Sequence, residues 1–169
     1  MNYEIEYDLV NFQDHLVKTG TKKDAKKLKL FTRSIHILLF NKKGEIMICK
    51  RPVNKKTYPN LITSSAGGHV EQGETYKIAA KRELREELNI KIPLKDLGRF
   101  DVITANERAI HHLFFSKLNK KVLVDPNEIS HYYFLSAEDI KSDINLHPRK
   151  YAKPFIEAFK YYSKCSKKL

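Results

Sequence analysis

Gly67-Gly68-His69-Val70-Glu71-Gln72-Gly73-Glu74 and, shortly after it, Arg82-Glu83-Leu84-Arg85-Glu86-Glu87-Leu88-Asn89-Ile90 are the stretches that decide how this chain is read. Ala80, Leu84 and Leu88 recur at i, i+4 and i+8, so one apolar stripe predicts a helix over Glu74–Leu88. Asn89 follows, a residue that tolerates the left-handed conformation ending many helices. On that helix Glu83, Glu86 and Glu87 stand at i, i+3 and i+4 and share a face, their Cβ atoms about 5–6 Å apart. Three carboxylates so close repel one another. A divalent cation turns the repulsion into coordination, and oxygen donors with positions left for water suit Mg²⁺ or Mn²⁺. Taken alone, the glutamates read first as a solvated acidic face balanced by Lys81 and Arg82, and it is the segment before the helix that favours a site. Three of the chain's six glycines, Gly67, Gly68 and Gly73, lie just before the helix. Either they make an ordinary turn, or a loop carbonyl approaches a metal beside the carboxylates.

Working outward, Ser34–Phe40 reads as a buried strand, Asn41–Gly44 as a turn, and Glu45–Arg51 as the partner strand of a hairpin. Pro52–Asn60 is a loop. Beyond the helix, Gly98–Ala105 and Ile110–Leu118 read as strands, Asp125–Glu128 as a turn and His131–Leu135 as a short strand. Ser136 is an N-cap candidate, and Phe155, Phe159 and Tyr162 mark one side of a helix over Lys150–Ser163. Residues 17–29 are polar and basic and read as a surface loop. The expected architecture is a mixed sheet between helical layers.

The length, 169 residues, suits a single domain over 1–169, with 1–30 as an N-terminal extension and 31–163 as the core. Hydrophobic residues at 41% and charged residues at 31% exclude intrinsic disorder. No run approaches the ~18 apolar residues of a membrane span. Met1–Glu6 shows neither the basic nor the apolar region of a leader, so a cytoplasmic protein is expected. Cys49 and Cys165 are too few for a disulfide framework. The net charge of +12 comes from 25 Lys and 7 Arg spread along the chain. It draws anionic substrates, but no alternation of basic and aromatic residues marks a nucleic-acid surface.

Together these residues resemble the signature of the Nudix hydrolase superfamily, G-x5-E-x7-R-E-U-x-E-E-x-G-U with U aliphatic. Gly68, Glu74, Arg82, Glu83, Leu84, Glu86, Glu87 and Ile90 fall at the required spacing, and Asn89 replaces the second Gly. The resemblance implies a Nudix-type α/β/α sandwich with a central mixed sheet. It implies Mg²⁺- or Mn²⁺-dependent cleavage of a diphosphate linkage in a small nucleoside-diphosphate-type substrate. By carry-over Glu83, Glu86, Glu87 and the Gly68 carbonyl are metal ligands, Arg82 orients the glutamates, and Glu74 braces the turn before the helix. The attacking water needs a proton acceptor. In some Nudix enzymes this is a glutamate of the signature, in others one from a later loop, for which Glu107 is the candidate. Lys50 and Arg51, just upstream, are candidates for the substrate phosphates, whereas Lys55 is expected in solvent.

The flanks Arg33-Ser34-Ile35-His36-Ile37, Thr57-Tyr58-Pro59-Asn60 and Ala66-Gly67-Gly68-His69 resemble the isopentenyl diphosphate isomerase-like branch. The isomerases carry a catalytic Cys in Cys-x-His; here Gly67 stands two residues before His69. The chain is therefore expected to be a hydrolase, the alternatives being the isomerase or a Nudix-fold binding module without catalysis. Specificity is expected from loops 52–60 and 102–109. A homodimer is possible on this sequence.

Overall fold

A computed structural model describes residues 5–104 and 107–166. The predicted strand end at Ala105, Asn106 beside Glu107, and the opening residues Met1–Glu4 lie outside the described residues. The central sheet is built on β3 (Thr32–Phe40), which runs into β4 (Ile46–Lys50) through a turn. The Asn41 side-chain carbonyl accepts from the backbone of Lys43 and Glu45 there, and Gly44 takes φ +80°. β5 (Ile62–Thr63) pairs with β4, and β6 (Ala66–His69) pairs with the first half of β3. β7 (Lys95–Ile103) and β8 (Arg108–Lys117) form an antiparallel pair, and β8 lies parallel to β3. β9 (His131–Leu135) closes on β4. The order is β5-β4-β3-β8-β7, with β6 and β9 attached to β3 and β4. One parallel pair among antiparallel ones makes the sheet mixed, as expected.

Helices cover both faces. α2 (Tyr76–Leu88) lays Ala79, Ala80, Leu84 and Leu88 against Ile35, Ile37 and Leu39 of β3. α3 (Ala137–Leu146) and α4 (Lys153–Cys165) cover the other face, where Ile140, Phe155, Ala158 and Phe159 meet Leu38, Ile48 and Leu113. The alternation of β3 explains the division, because odd and even residues point to opposite faces. Each fully buried Leu, Ile or Phe contributes roughly 1.5–3 kcal/mol.

Helix ends follow local chemistry. α2 begins at Tyr76, not Glu74, because Thr75 is the N-cap and accepts from the Ile78 backbone N–H at 3.3 Å. It ends at Asn89, which takes φ 52°, ψ 39°. Ser136 caps α3 as expected. α4 begins three residues later than predicted, because Pro148–Lys150 form a separate 3-10 turn and Pro154 fits only the first turn of a helix.

Residues 17–29 are not a loop. β1 (Tyr7–Val10) and β2 (Leu16–Gly20) form a hairpin, followed by α1 (Lys22–Leu28). Thr21 and Asp24 form a reciprocal capping box at the start of α1. Little apolar surface marks these elements, since Tyr7, Leu9 and Ala25 are their buried cluster. The hairpin joins the main body through a Val10–Phe31 bridge and a 2.6 Å Arg33–Asp14 ion pair. No helix among the described residues is long and apolar enough to cross a membrane.

Candidate active site

Gly67 and Gly68 lie on a strand, not in a loop: β6 sets Gly68 opposite Ile35 and Gly67 opposite His36. Their lack of a side chain is used on both. A Cβ on Gly68 would stand 2.6 Å from Glu83 Cδ, inside the carboxylate of Glu83. A Cβ on Gly67 would stand 2.7 Å from the backbone oxygen of Ile35. Gly68 therefore lets α2 bring Glu83 up against β6, and Gly67 lets β6 pass close to the backbone of β3.

Arg82 organises the acidic face. Its Nε and Nη2 donate to the two oxygens of Glu74, each at 2.9 Å, and Nη2 also donates to the His69 carbonyl at 2.9 Å. Its Nη1 donates to Glu83 at 2.8 Å and Glu86 at 3.1 Å. This bidentate fork ties the start of α2 to the end of β6. Hydrogen bonds from Arg82 hold the Glu74 carboxyl below its ordinary range. The Glu74 side chain also accepts from the Glu71 N–H at 2.9 Å, so it closes the turn before the helix.

Glu83 and Glu87 are buried, at 9% and 7% exposure, while the Glu86 side chain is half exposed. Burial raises Glu83 to about 6 against the pull of Arg82. Burial pushes Glu87 well up, and the charges of Glu83 and Glu128 add to this; the opposing hydrogen bond comes from the Gly67 N–H at 3.2 Å. Two buried carboxylates about one helical turn apart, sharing few positive neighbours, favour a bound cation. A hard divalent cation with oxygen preference fits this donor set, and Glu83, Glu86 and Glu87 are the side chains that could hold it. Among the described residues, no three His, Cys, Asp or Glu side chains are already gathered closely enough to hold a metal ion.

A cleft of about 530 Å³ opens beside these groups, a size that suits a small-molecule ligand. Glu83, Glu86, Glu87, Gly68, Arg51 and Glu107 line it. Lys50 is not among the lining residues; its carbonyl accepts from Ser130. Glu107 accepts from the Tyr58 hydroxyl at 2.8 Å, and both line the cleft. Lys55 is held in a 2.7 Å ion pair with Glu128 instead of standing in solvent.

Two acidic lining residues escape a reading of local sequence, Asp125 and Glu128. They occupy what reads as a plain turn. The segment before it runs along the end of α2, with the Leu123 N–H donating to the Leu88 carbonyl and the Asp125 N–H to that of Glu87. The one signal available was two carboxylates within a single turn.

A NUDIX domain model matches residues 30–158. The chain belongs to the Nudix family. A Nudix hydrolase of Deinococcus radiodurans is 31% identical over 81% of this chain and 82% of its own. An isopentenyl-diphosphate Delta-isomerase of Photorhabdus laumondii is 29% identical over 85% and 84%. The crystal structure of DR0079 from Deinococcus radiodurans matches with a TM-score of 0.73 at 28% identity, covering 84% of this chain and 90% of that one. The Nudix architecture expected from the signature is thus the observed one, and with hydrolases among its relatives the chain is an enzyme of the Nudix pyrophosphohydrolase kind. The Nudix signature helix is α2, and Asn89 performs the positive-φ termination for which the signature has Gly.

Proposed function

We propose that this Nudix enzyme cleaves a diphosphate linkage in a small nucleoside-diphosphate-type substrate, with Mg²⁺ or Mn²⁺ held by Glu83, Glu86, Glu87 and the Gly68 carbonyl. The observation that carries the reading is the buried, charge-deficient pair Glu83 and Glu87 beside an open cleft. A bound divalent cation supplies neutralisation of the diphosphate oxygens and acidification of the attacking water. Arg82 holds Glu83 and Glu86 in a fixed geometry, so ligand positions are set before substrate arrives. Arg51 lines the same cleft, near enough for its charge to act on Glu87, and would meet the substrate phosphates there. Glu107 accepts the proton of the attacking water, and the Tyr58 hydroxyl orients its carboxylate.

The isomerase relatives make a rival reading, and the site speaks against it. No thiol stands at Gly67, and the Ile35 carbonyl leaves no room for a side chain there. Cys49 is buried, its thiol donating to the Ser65 carbonyl, and burial raises its pKa.

The test is hydrolysis with Mg²⁺ across nucleoside triphosphates, nucleotide sugars, dinucleotides and isoprenyl diphosphates, read as the phosphate esters and inorganic phosphate or diphosphate formed from each. Glu86→Gln is expected to remove most of the turnover, on the order of 100-fold or more, without loss of fold, since that side chain is half exposed. Glu107→Gln is expected to lower kcat. Unchanged turnover in Glu86→Gln, or conversion of isopentenyl diphosphate to its isomer without phosphate release, defeats the reading.

A further inference from the structure

Within the same cleft, strand register builds a row that the hydrolytic machinery does not use. Phe100 on β7 pairs with His111 on β8, His111 with Ser34 on β3, and Ser34 with His69 on β6. Register partners on neighbouring strands share a face, so these four residues form one line across four strands. Ser34, His69 and His111 line the cleft.

Two members of the row are anomalous. Ser34 is 4% exposed and His111 2%. Among the described residues, neither the Ser34 hydroxyl nor either ring nitrogen of His111 has a hydrogen-bond partner. Buried polar groups are normally paired, and leaving one unpaired is costly. Phe100 stacks on the His111 ring at 5.0 Å and 19°, and a partner for an imidazole nitrogen must come in along the ring edge. Burial drives the His111 pKa far down, so the ring is neutral and offers one donor and one acceptor. A neutral ring does not hold a phosphate by charge.

Resting on the hydrolase reading for the place of the phosphates, we propose that Ser34 and His111 are specificity-determining residues of this cleft. They select diphosphates whose organic part presents an uncharged donor–acceptor edge, as a nucleobase or sugar does. A hydrocarbon tail at the same place leaves three buried polar atoms unpaired, which discriminates against it. The loops 52–60 and 102–109 then supply Tyr58 and Glu107 near the reaction, while the strands read the organic group.

The test is equilibrium binding by calorimetry with Ca²⁺ present, using UDP, ADP and isopentenyl diphosphate as probes. Wild type is expected to prefer at least one nucleoside diphosphate over isopentenyl diphosphate. His111→Leu is expected to weaken that nucleoside diphosphate about 10-fold, the worth of one such hydrogen bond, and to change isopentenyl diphosphate less than about twofold. His111→Gln, which keeps a donor and an acceptor, restores most of the affinity. In the free protein His111→Leu should melt no lower than wild type, because it removes an unpaired buried group. Equal weakening of both ligand types overturns the proposal. So does preference of wild type for isopentenyl diphosphate, binding of neither type, or a markedly lower melting temperature in His111→Leu. Turnover by the same protein separates the two readings. Discrimination in binding without glutamate-dependent hydrolysis defeats the hydrolase alone, and hydrolysis without discrimination defeats the row alone.

Discussion

Gly68→Ala is the substitution that best separates the architecture of this site from its chemistry. The added methyl would stand 2.6 Å from Glu83 Cδ and 3.1 Å from Oε2. Carbon atoms rest at about 3.5–4.0 Å, so the Glu83 carboxylate must retreat by about 1 Å. The intruding atoms are the end of a flexible side chain, not backbone, so the strand and helix can stay in place. Ala also restricts the unfolded chain more than Gly does, a gain of about 0.4–1 kcal/mol, which offsets part of the rotamer strain in Glu83. The net stability change is expected within about 1 kcal/mol, a melting shift of about 2–4 °C for a chain of this length. Activity should respond far more, because a 1 Å misplacement of a positioned group can cost about 100-fold in rate. The assay pairs thermal unfolding with initial rates of diphosphate cleavage under Mg²⁺. Turnover within about threefold of wild type would refute the placement of Glu83 in the reaction. A melting temperature lower by much more than about 4 °C would show that backbone moves instead of the side chain.

Three further outcomes follow from the same geometry. Arg82→Met strands Glu74 and Glu83 without their counter-charge; breaking a buried ion pair costs about 3–5 kcal/mol, so thermal unfolding should fall by about 10 °C, and Arg82→Lys should recover only part because it lacks the fork. His36 is buried against the Ser64 hydroxyl and burial lowers it to about 4. The unfolded chain therefore takes up this proton first: the stability His36 contributes is fully present above about pH 6.5 and lost as pH falls towards 4, up to about 3 kcal/mol. Glu83, raised to about 6, acts in the opposite sense over the lower part of that window, so the term is read as the difference between denaturant titrations of wild type and His36→Gln, which should lose stability less steeply between pH 6.5 and 4.5. Equal slopes in the two proteins would refute the burial of a neutral His36.

Within α2, nearly everything about the candidate site was legible from spacing. A helix repeats every 3.6 residues, so the face shared by Glu83, Glu86 and Glu87 and the stripe of Ala80, Leu84 and Leu88 follow from position alone. Asn89 was legible for the same reason, because its left-handed conformation is a local property. The N-terminal hairpin and α1 were not. Their cluster of Tyr7, Leu9 and Ala25 is small, and a run rich in lysine carries no periodic apolar signal. Lys50 and Arg51 looked alike in sequence, yet the end of β4 leaves Arg51 in the cleft and Lys50 outside its lining.

Local pattern fixes the signature helix with its acidic face and the strands β3, β4, β8 and β9, and hence the family, but not β1, β2, β5 or β6. Each element so fixed depends on residues within a few positions of one another. Long-range pairing brings Asp125 and Glu128 into the same cleft as Glu83 and Glu87, and sets Ser34, His69, His111 and Phe100 in one line. These contacts are fixed by strand register and by hydrogen bonds to the end of α2. A shift of one residue in that register would turn every side chain to the other face, and no local pattern states which strands will meet.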